Sequence, residues 1–89
     1  NSQSYLTSYY PNGQIKQYLE VVNSRAMGLY QEWYPYGQVK LTARVIGGQA
    51  EFDEAIQSNW MFDGLTTAYF EDGKVSGKIE YKKGSLEGK

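Results

Sequence analysis

The stretch Tyr9-Tyr10-Pro11-Asn12-Gly13-Gln14-Ile15-Lys16 decides the fold of this chain, because closely similar stretches recur twice more within its 89 residues. The other two copies are Trp33-Tyr34-Pro35-Tyr36-Gly37-Gln38-Val39-Lys40 and Tyr69-Phe70-Glu71-Asp72-Gly73-Lys74-Val75-Ser76. Each copy is an aromatic pair, two further residues, a glycine and the start of a β-branched segment. A short internal repeat is typical of folds in which one supersecondary unit stacks on the next. We therefore expect stacked β-hairpins.

Glycines set the frame of the repeat. The turn glycines, spaced 24 and 36 residues apart, are Gly13, Gly37 and Gly73. A second glycine precedes two of them by nine residues, at Gly28 and Gly64, and is expected where one hairpin passes to the next. The chain is thus predicted to be one domain over 1–89. Its units are about 4–27, 28–63 with an insertion at 47–63, and 64–87, with a further unit starting at Gly88.

The second strand of each unit alternates between apolar and polar residues, which indicates a sheet with one apolar face. The apolar positions are Ile15, Leu19 and Val21, then Val39, Leu41, Ala43 and Val45, then Val75, Ile79 and Tyr81. Asn12-Gly13 and Asp72-Gly73 are dipeptides typical of type I′ turns. The sequence predicts an all-β fold, an elongated antiparallel meander of repeated hairpins in a single-layer twisted sheet.

The insertion breaks the period and allows two structures. Gly47-Gly48 would close an extra hairpin with Gln49–Glu54 returning antiparallel, which we favour. The competing prediction is a short helical turn within 52–59, where Phe52, Ala55 and Ile56 have weak helical spacing. The apolar triplet that follows, Trp60-Met61-Phe62, either packs the insertion onto the sheet or forms an exposed anchor for a partner.

Composition argues against several functions. Nine basic and ten acidic residues give a net charge of −1, without the basic patch that nucleic acid requires. The chain has neither cysteine nor histidine, so disulfides, thiolate nucleophiles and the commonest general base are absent. No apolar run approaches the ~20 residues of a membrane span, and none resembles a signal peptide. The compartment stays open between cytoplasm and export.

Neither acidic clusters nor serines favour catalysis. Glu51, Asp53 and Glu54 lie together in the insertion, and Glu71-Asp72 lies at a turn, but neither group has calcium-loop spacing. A serine–lysine dyad is disfavoured because Lys40 and Lys74 lie at strand starts, where an exposed cation is ordinary. We expect no enzyme activity, no cofactor and no metal.

The aromatic pairs form two columns across the repeat. The first column is Tyr9, Trp33 and Tyr69, and the second is Tyr10, Tyr34 and Phe70. Adjacent strand residues face opposite sides, so one column is expected in the core and the other on the far face. The columns are interpreted as cross-strand packing, and an exposed column would also bind a partner. The candidate partner-binding residues are Tyr10, Tyr34, Phe70, Trp60 and Phe62.

The three copies, together with Lys83-Gly84-Ser85-Leu86-Glu87-Gly88, resemble the MORN-repeat variant family over most of the chain apart from the insertion. Two departures are Ser4 in place of the leading glycine and Tyr36 in place of an asparagine-like turn residue. The resemblance implies a meander of hairpins that acts as a non-catalytic interaction module. Some bacterial members of that family are grouped under an antitoxin label.

The leading functional expectation is a module that binds a protein partner. The alternatives are a carbohydrate-binding surface module and an antitoxin-like protein that neutralises a toxin. Sheet edges left unpaired at both ends of the meander would also permit edge-to-edge self-association.

Overall fold

The fold is known from a computed structural model that describes residues 2–83 and 85–86. The strands are β1 (Gln3–Tyr9), β2 (Ile15–Val22), β3 (Arg25–Trp33), β4 (Val39–Gly47), β5 (Met61–Phe62), β6 (Gly64–Tyr69), β7 (Val75–Lys82) and β8 (Ser85–Leu86), and one helical turn, α1, covers Glu54–Gln57. The further unit expected from Gly88 and the end of the third unit, at 87, lie outside the described residues.

The strands form one antiparallel sheet whose order follows the chain, β1-β2-β3-β4-β6-β7-β8, with β5 beside β4. The predicted all-β meander in a twisted sheet is therefore confirmed. Along its principal axes the domain measures 32 × 32 × 22 Å.

The dipeptides Asn12-Gly13 and Asp72-Gly73 suggested type I′ turns after the aromatic pairs, but these turns are of a different type. The Gly13 amide donates to the Tyr10 carbonyl at 2.9 Å, and among the two central residues Pro11 and Asn12 neither has a positive φ. Gly13 follows with φ +90°. This is a type I turn followed by a left-handed glycine, and Pro11 suits its first central position because the proline ring fixes φ near −65°.

A two-residue turn of type I′ joins β2 to β3, at the opposite end of the sheet. Asn23 and Ser24 have φ of 51° and 66° and join β2 directly to β3. Both central residues of a type I′ turn require positive φ, which asparagine tolerates better than most residues.

Gly28 lies inside β3 rather than at a passage between hairpins. Its φ is +122°, and an added Cβ would lie 2.4 Å from the Glu20 carboxylate. That carboxylate accepts a hydrogen bond from the Leu29 amide at 2.8 Å. The register of β2 and β3 shifts at this point, so Gly28 is required by a bulge that the Glu20 side chain fills. Gly64 begins β6 with φ +76°.

The insertion contains the helical turn rather than the favoured extra strand pair. Asp53 caps α1 by accepting the Ala55 amide at 2.8 Å. The strand expected at Gln49–Glu54 is reduced to a single bridge between Arg25 and Gln49. Pairing with β4 comes later, at Met61–Phe62. The capping carboxylate at Asp53 favours a helix start over continued extension.

The hydrophobic core lies on one face of the sheet, which the insertion covers. Its buried residues are Leu19, Val21, Ala26, Tyr30, Ala43, Val45 and Trp60. The Trp60 ring packs edge-on against Tyr30 with centroids 4.9 Å apart, and its indole nitrogen donates to the Gln49 carbonyl at 2.8 Å. Ile79 lies on the same face and is 45% exposed.

Candidate binding surfaces

The three turns that carry the aromatic pairs are joined by side-chain hydrogen bonds, which we call the turn ladder. The Tyr10 hydroxyl donates to the Trp33 carbonyl at 2.6 Å, and the Tyr34 hydroxyl donates to the Tyr69 carbonyl at 2.8 Å. Two side-chain amides make similar bonds: Asn12 donates to the Pro35 backbone carbonyl at 3.0 Å, and Gln38 donates to the Glu71 backbone carbonyl at 3.1 Å. Each hairpin thereby holds the turn of its successor.

The second aromatic column divides in two. Tyr10 and Tyr34 are half-buried and use their hydroxyls in the turn ladder. Phe70 has no hydroxyl and is 55% exposed. Of the five candidate partner-binding residues, Phe70 is therefore the one with a freely accessible ring.

The first column does not separate from the second as strict alternation predicts. The register shifts immediately before Tyr9, Trp33 and Tyr69. The residue skipped in each shift lies on the partner strand, and none of the six aromatic side chains is buried in the core. The expectation of one core column and one column on the far face is therefore wrong. Tyr9 is exposed, while Trp33 and Tyr69 are half-buried.

Trp60 and Phe62 hold the insertion against the sheet. Trp60 is only 6% exposed. Phe62 is half-buried between two rings, with centroids 6.4 Å from Trp60 and 5.1 Å from Tyr81. This environment agrees with the alternative in which the triplet Trp60-Met61-Phe62 packs the insertion onto the sheet.

An open cleft of about 370 Å³ lies between the turn-side ends of β2–β4 and the helical turn α1. We call it the turn-side cleft. Its lining residues are Tyr10, Lys16, Gln17, Glu32, Trp33, Lys40, Phe52, Glu54 and Gln57. Three of them are aromatic, and two lysines balance two glutamates, so the lining carries no net charge.

A hydrogen-bond network centred on Tyr30 orders the floor of the turn-side cleft. The Tyr30 hydroxyl donates to the Glu32 carboxylate at 2.5 Å and accepts from the Gln17 amide at 3.0 Å. Gln17 in turn accepts from the Ser8 hydroxyl at 2.7 Å. Burial, and then the hydrogen bond to Glu32, raise the pKa of Tyr30 well above its ordinary value. Tyr30 is therefore a neutral donor that holds Glu32 in place.

The two lysines are positioned by aromatic rings. The Lys16 ammonium group lies 5.5 Å from the Tyr10 ring centre, and that of Lys40 lies 5.6 Å from the Tyr34 ring centre. A cation at this distance is attracted to the ring face. Tyr10 and Tyr34 of the second aromatic column thus also position the two lysines of the cleft.

The other face of the sheet, which we call the open face, is not covered by the insertion. One row of directly paired residues crosses six strands: Thr7, Tyr18, Gln31, Thr42, Thr67 and Lys78. Tyr5 stacks on Tyr18 with centroids 5.8 Å apart and is 67% exposed. Leu65 is 48% exposed on the same face. This is a broad surface of aromatic, hydroxyl and amide groups.

Within residues 2–83 and 85–86, no three histidine, cysteine or acidic side chains come close enough to hold a metal ion. Nor does this part of the chain contain a helix with the length and apolarity of a membrane span.

Sequence reasoning missed the turn-side cleft. A signal existed for its lysines, because Lys16 and Lys40 occupy the same repeat position. No signal existed for Glu54 and Gln57, since their place depends on how the insertion folds back. Glu32 lies two residues after Tyr30 in regular register, so strand alternation places both on the same face.

Two of the hairpins just described coincide with regions that match a known protein family. The family model for the MORN repeat variant matches residues 5–23 and 62–83, which contain most of β1–β2 and all of β6–β7. Comparison with curated proteins and with solved structures gives no match. The hairpin of β3 and β4 lies between the two matched regions and takes part in the same turn ladder. The chain is therefore a β-hairpin repeat protein in which residues 5–23 and 62–83 match the MORN repeat variant.

Proposed function

We propose that this domain is a non-catalytic module that binds a protein partner through the open face. The observation that carries the proposal is the row of six paired side chains from Thr7 to Lys78, which crosses six strands. On the opposite face, the insertion packs against the sheet and completes the domain's own hydrophobic core. The open face is thus the broad side of the sheet left for a partner.

The size and chemistry of the open face suit a protein surface. Six strands about 4.8 Å apart span roughly 24 Å, and the nine-residue strands β3 and β4 are each roughly 30 Å long. The face therefore measures on the order of 700 Å², comparable with the ~800 Å² that each partner buries in a standard interface. Tyrosine is enriched in such interfaces, and Tyr5 and Tyr18 stack at one side of this face. Arg44 and Glu80 add charges of both signs.

The aromatic residues nominated from the sequence take different parts in this proposal. Phe70 offers an exposed ring at the turn end of the sheet. Tyr10 and Tyr34 support the turns, and Trp60 with Phe62 secure the insertion, so these four act on binding through the fold. A toxin, as the antitoxin alternative requires, would be one kind of protein partner.

Placing the same side chain on opposite faces tests the proposal. Thr67→Arg alters the row of the open face on β6, and Ile79→Arg alters an exposed position of the covered face on the adjacent strand β7. A photo-crosslinking residue at position 67 first captures the partner from cells of the source organism. We expect Thr67→Arg to weaken binding of that partner by at least about tenfold, with Ile79→Arg unchanged and both variants folded by circular dichroism. Equal binding by the two variants, or loss only with Ile79→Arg, contradicts the proposal.

A further inference from the structure

We infer that the turn-side cleft is a binding site for a short neutral saccharide. This site lies at the turn end of the sheet beneath α1, apart from the row of side chains on the open face, and does not depend on the protein-binding proposal. Its volume, about 370 Å³, falls in the range of small-molecule sites.

The walls of the cleft suit the apolar side of a sugar ring. A pyranose presents a face of C–H groups, which packs on an aromatic ring as any apolar surface does. Trp33, Tyr10 and Phe52 all line the cleft, and all three are half-buried rather than enclosed. Aromatic surface is therefore available to a bound ring.

The polar groups of the cleft suit the hydroxyls of a sugar. Each hydroxyl is one donor and two acceptors, so a saccharide needs partners of both kinds. Glu32 and Glu54 accept hydrogen bonds, and Lys16 and Lys40 donate them. Glu32 already accepts from Tyr30, but a carboxylate has about four lone-pair sites and retains capacity for a ligand.

Charge selects a neutral saccharide over an acidic one. The two lysines and two glutamates of the lining cancel, so an anionic ligand gains at the lysines and loses at the carboxylates. The network of Ser8, Gln17 and Tyr30 holds Glu32 before any ligand arrives. A floor that is ordered in advance lowers the entropy cost of binding.

The position of the cleft disfavours an extended peptide. Addition of a peptide strand requires an exposed sheet edge, whereas the cleft is built on β2–β4, which are paired on both sides. The helical turn α1 closes one flank, so the site suits a compact ligand.

The two tryptophans provide a readout with an internal control. Trp33 lines the cleft, whereas Trp60 is buried in the core. The indole N–H signals in a proton–nitrogen correlation spectrum are followed while maltose, cellobiose or N,N′-diacetylchitobiose is added, with sialyllactose as the acidic probe. We expect at least one neutral disaccharide to shift the Trp33 signal saturably, to leave Trp60 in place and to bind more tightly than sialyllactose.

A matched pair of variants locates the binding. Glu54→Gln removes a cleft carboxylate on the exposed helical turn, and Glu51→Gln removes the same charge from an exposed position of the insertion that does not line the cleft. Glu54→Gln should weaken binding of the neutral disaccharide about tenfold, and Glu51→Gln should leave that binding unchanged. An unshifted Trp60 signal verifies that each variant is folded.

Three results would overturn the inference. The first is no change at Trp33 with any of the neutral disaccharides up to roughly 20 mM, well above a millimolar Kd. The second is an equal shift of both tryptophans, or an equal effect of the two glutamate variants. The third is tighter binding of sialyllactose than of every neutral probe.

Discussion

The hydroxyl of Tyr34 donates a 2.8 Å hydrogen bond to the backbone carbonyl of Tyr69, 35 residues further along the chain. Tyr10 and Trp33 repeat this relationship one hairpin earlier. A residue that reads locally as part of a turn motif is therefore also a long-range tie between hairpins.

Removing the tie should cost stability without altering the sheet. For Tyr34→Phe we expect the free energy of unfolding to fall by about 1 kcal/mol, because the ring stays and one hydrogen bond is lost. Urea denaturation followed by circular dichroism measures the change. Tyr36→Phe removes a hydroxyl from a side chain that is 84% exposed, and it should stay within about 0.5 kcal/mol of the parent. Equal losses in both variants would show that the tie is not what stabilises the turns.

Trp60→Ala should destabilise the domain severely. The ring packs on Tyr30 and Phe62, and truncating a buried tryptophan typically costs about 3–5 kcal/mol, much of the stability of a small domain. Thermal and urea unfolding measure the loss, with Phe70→Ala, at an exposed position, as the control. Near-parental stability of Trp60→Ala together with lost partner binding would instead support the exposed-anchor alternative.

Gly28→Ala should be destabilising by about 1–3 kcal/mol, because a non-glycine residue with φ +122° is strained and its Cβ meets Glu20. The matched control is Gly77→Ala in β7, where nothing lies within 4 Å of the added carbon. Chemical denaturation of both variants separates the two cases. Similar stabilities would mean that the bulge relaxes around an alanine.

Tyr30 should make the domain sensitive to alkali. Its pKa lies above the ordinary value of 10.0 in the folded state, so below pH 10 both states keep the phenolic proton and its contribution is intact. Above pH 10 the unfolded chain releases that proton while the folded chain keeps it, so the free energy of unfolding falls as pH rises toward the folded pKa.

Urea denaturation at pH 8 and pH 11 measures this loss. Tyr30→Phe is less stable at pH 8, because Gln17 and Glu32 lose a partner, but it should show a smaller further loss at pH 11. An unchanged loss between the two pH values in this variant would exclude Tyr30 as its source.

Much of the fold follows from short-range patterns in the sequence. The aromatic pairs, the turn glycines and the alternation in β2 and β4 predict the hairpins and their order. The turn type was wrong because the turns are centred one residue earlier, on Pro11-Asn12 and Glu71-Asp72, and the left-handed glycine follows them. The separation of the aromatic columns was wrong because β1, β3 and β6 end at Tyr9, Trp33 and Tyr69, so strand alternation does not extend to the second residue of each pair.

The site was less accessible to prediction than the fold. The turn-side cleft exists because α1 returns over the ends of β2–β4, a long-range placement fixed by Trp60 packing on Tyr30. Helical spacing at Phe52 and Ile56 indicated that a turn of helix was available. It held no information on where that turn would lie.

The strand order that follows the chain also sets the order in which the protein can assemble during synthesis. Each hairpin can pair as soon as it leaves the ribosome, since its partner strand is its neighbour in sequence. The core cannot form so early, because Leu19 and Tyr30 share a core cluster with Trp60, which is synthesised after both hairpins. A nascent chain ending between the second hairpin and the insertion therefore displays an uncovered apolar face, the interval in which it is most exposed to chaperones and to aggregation.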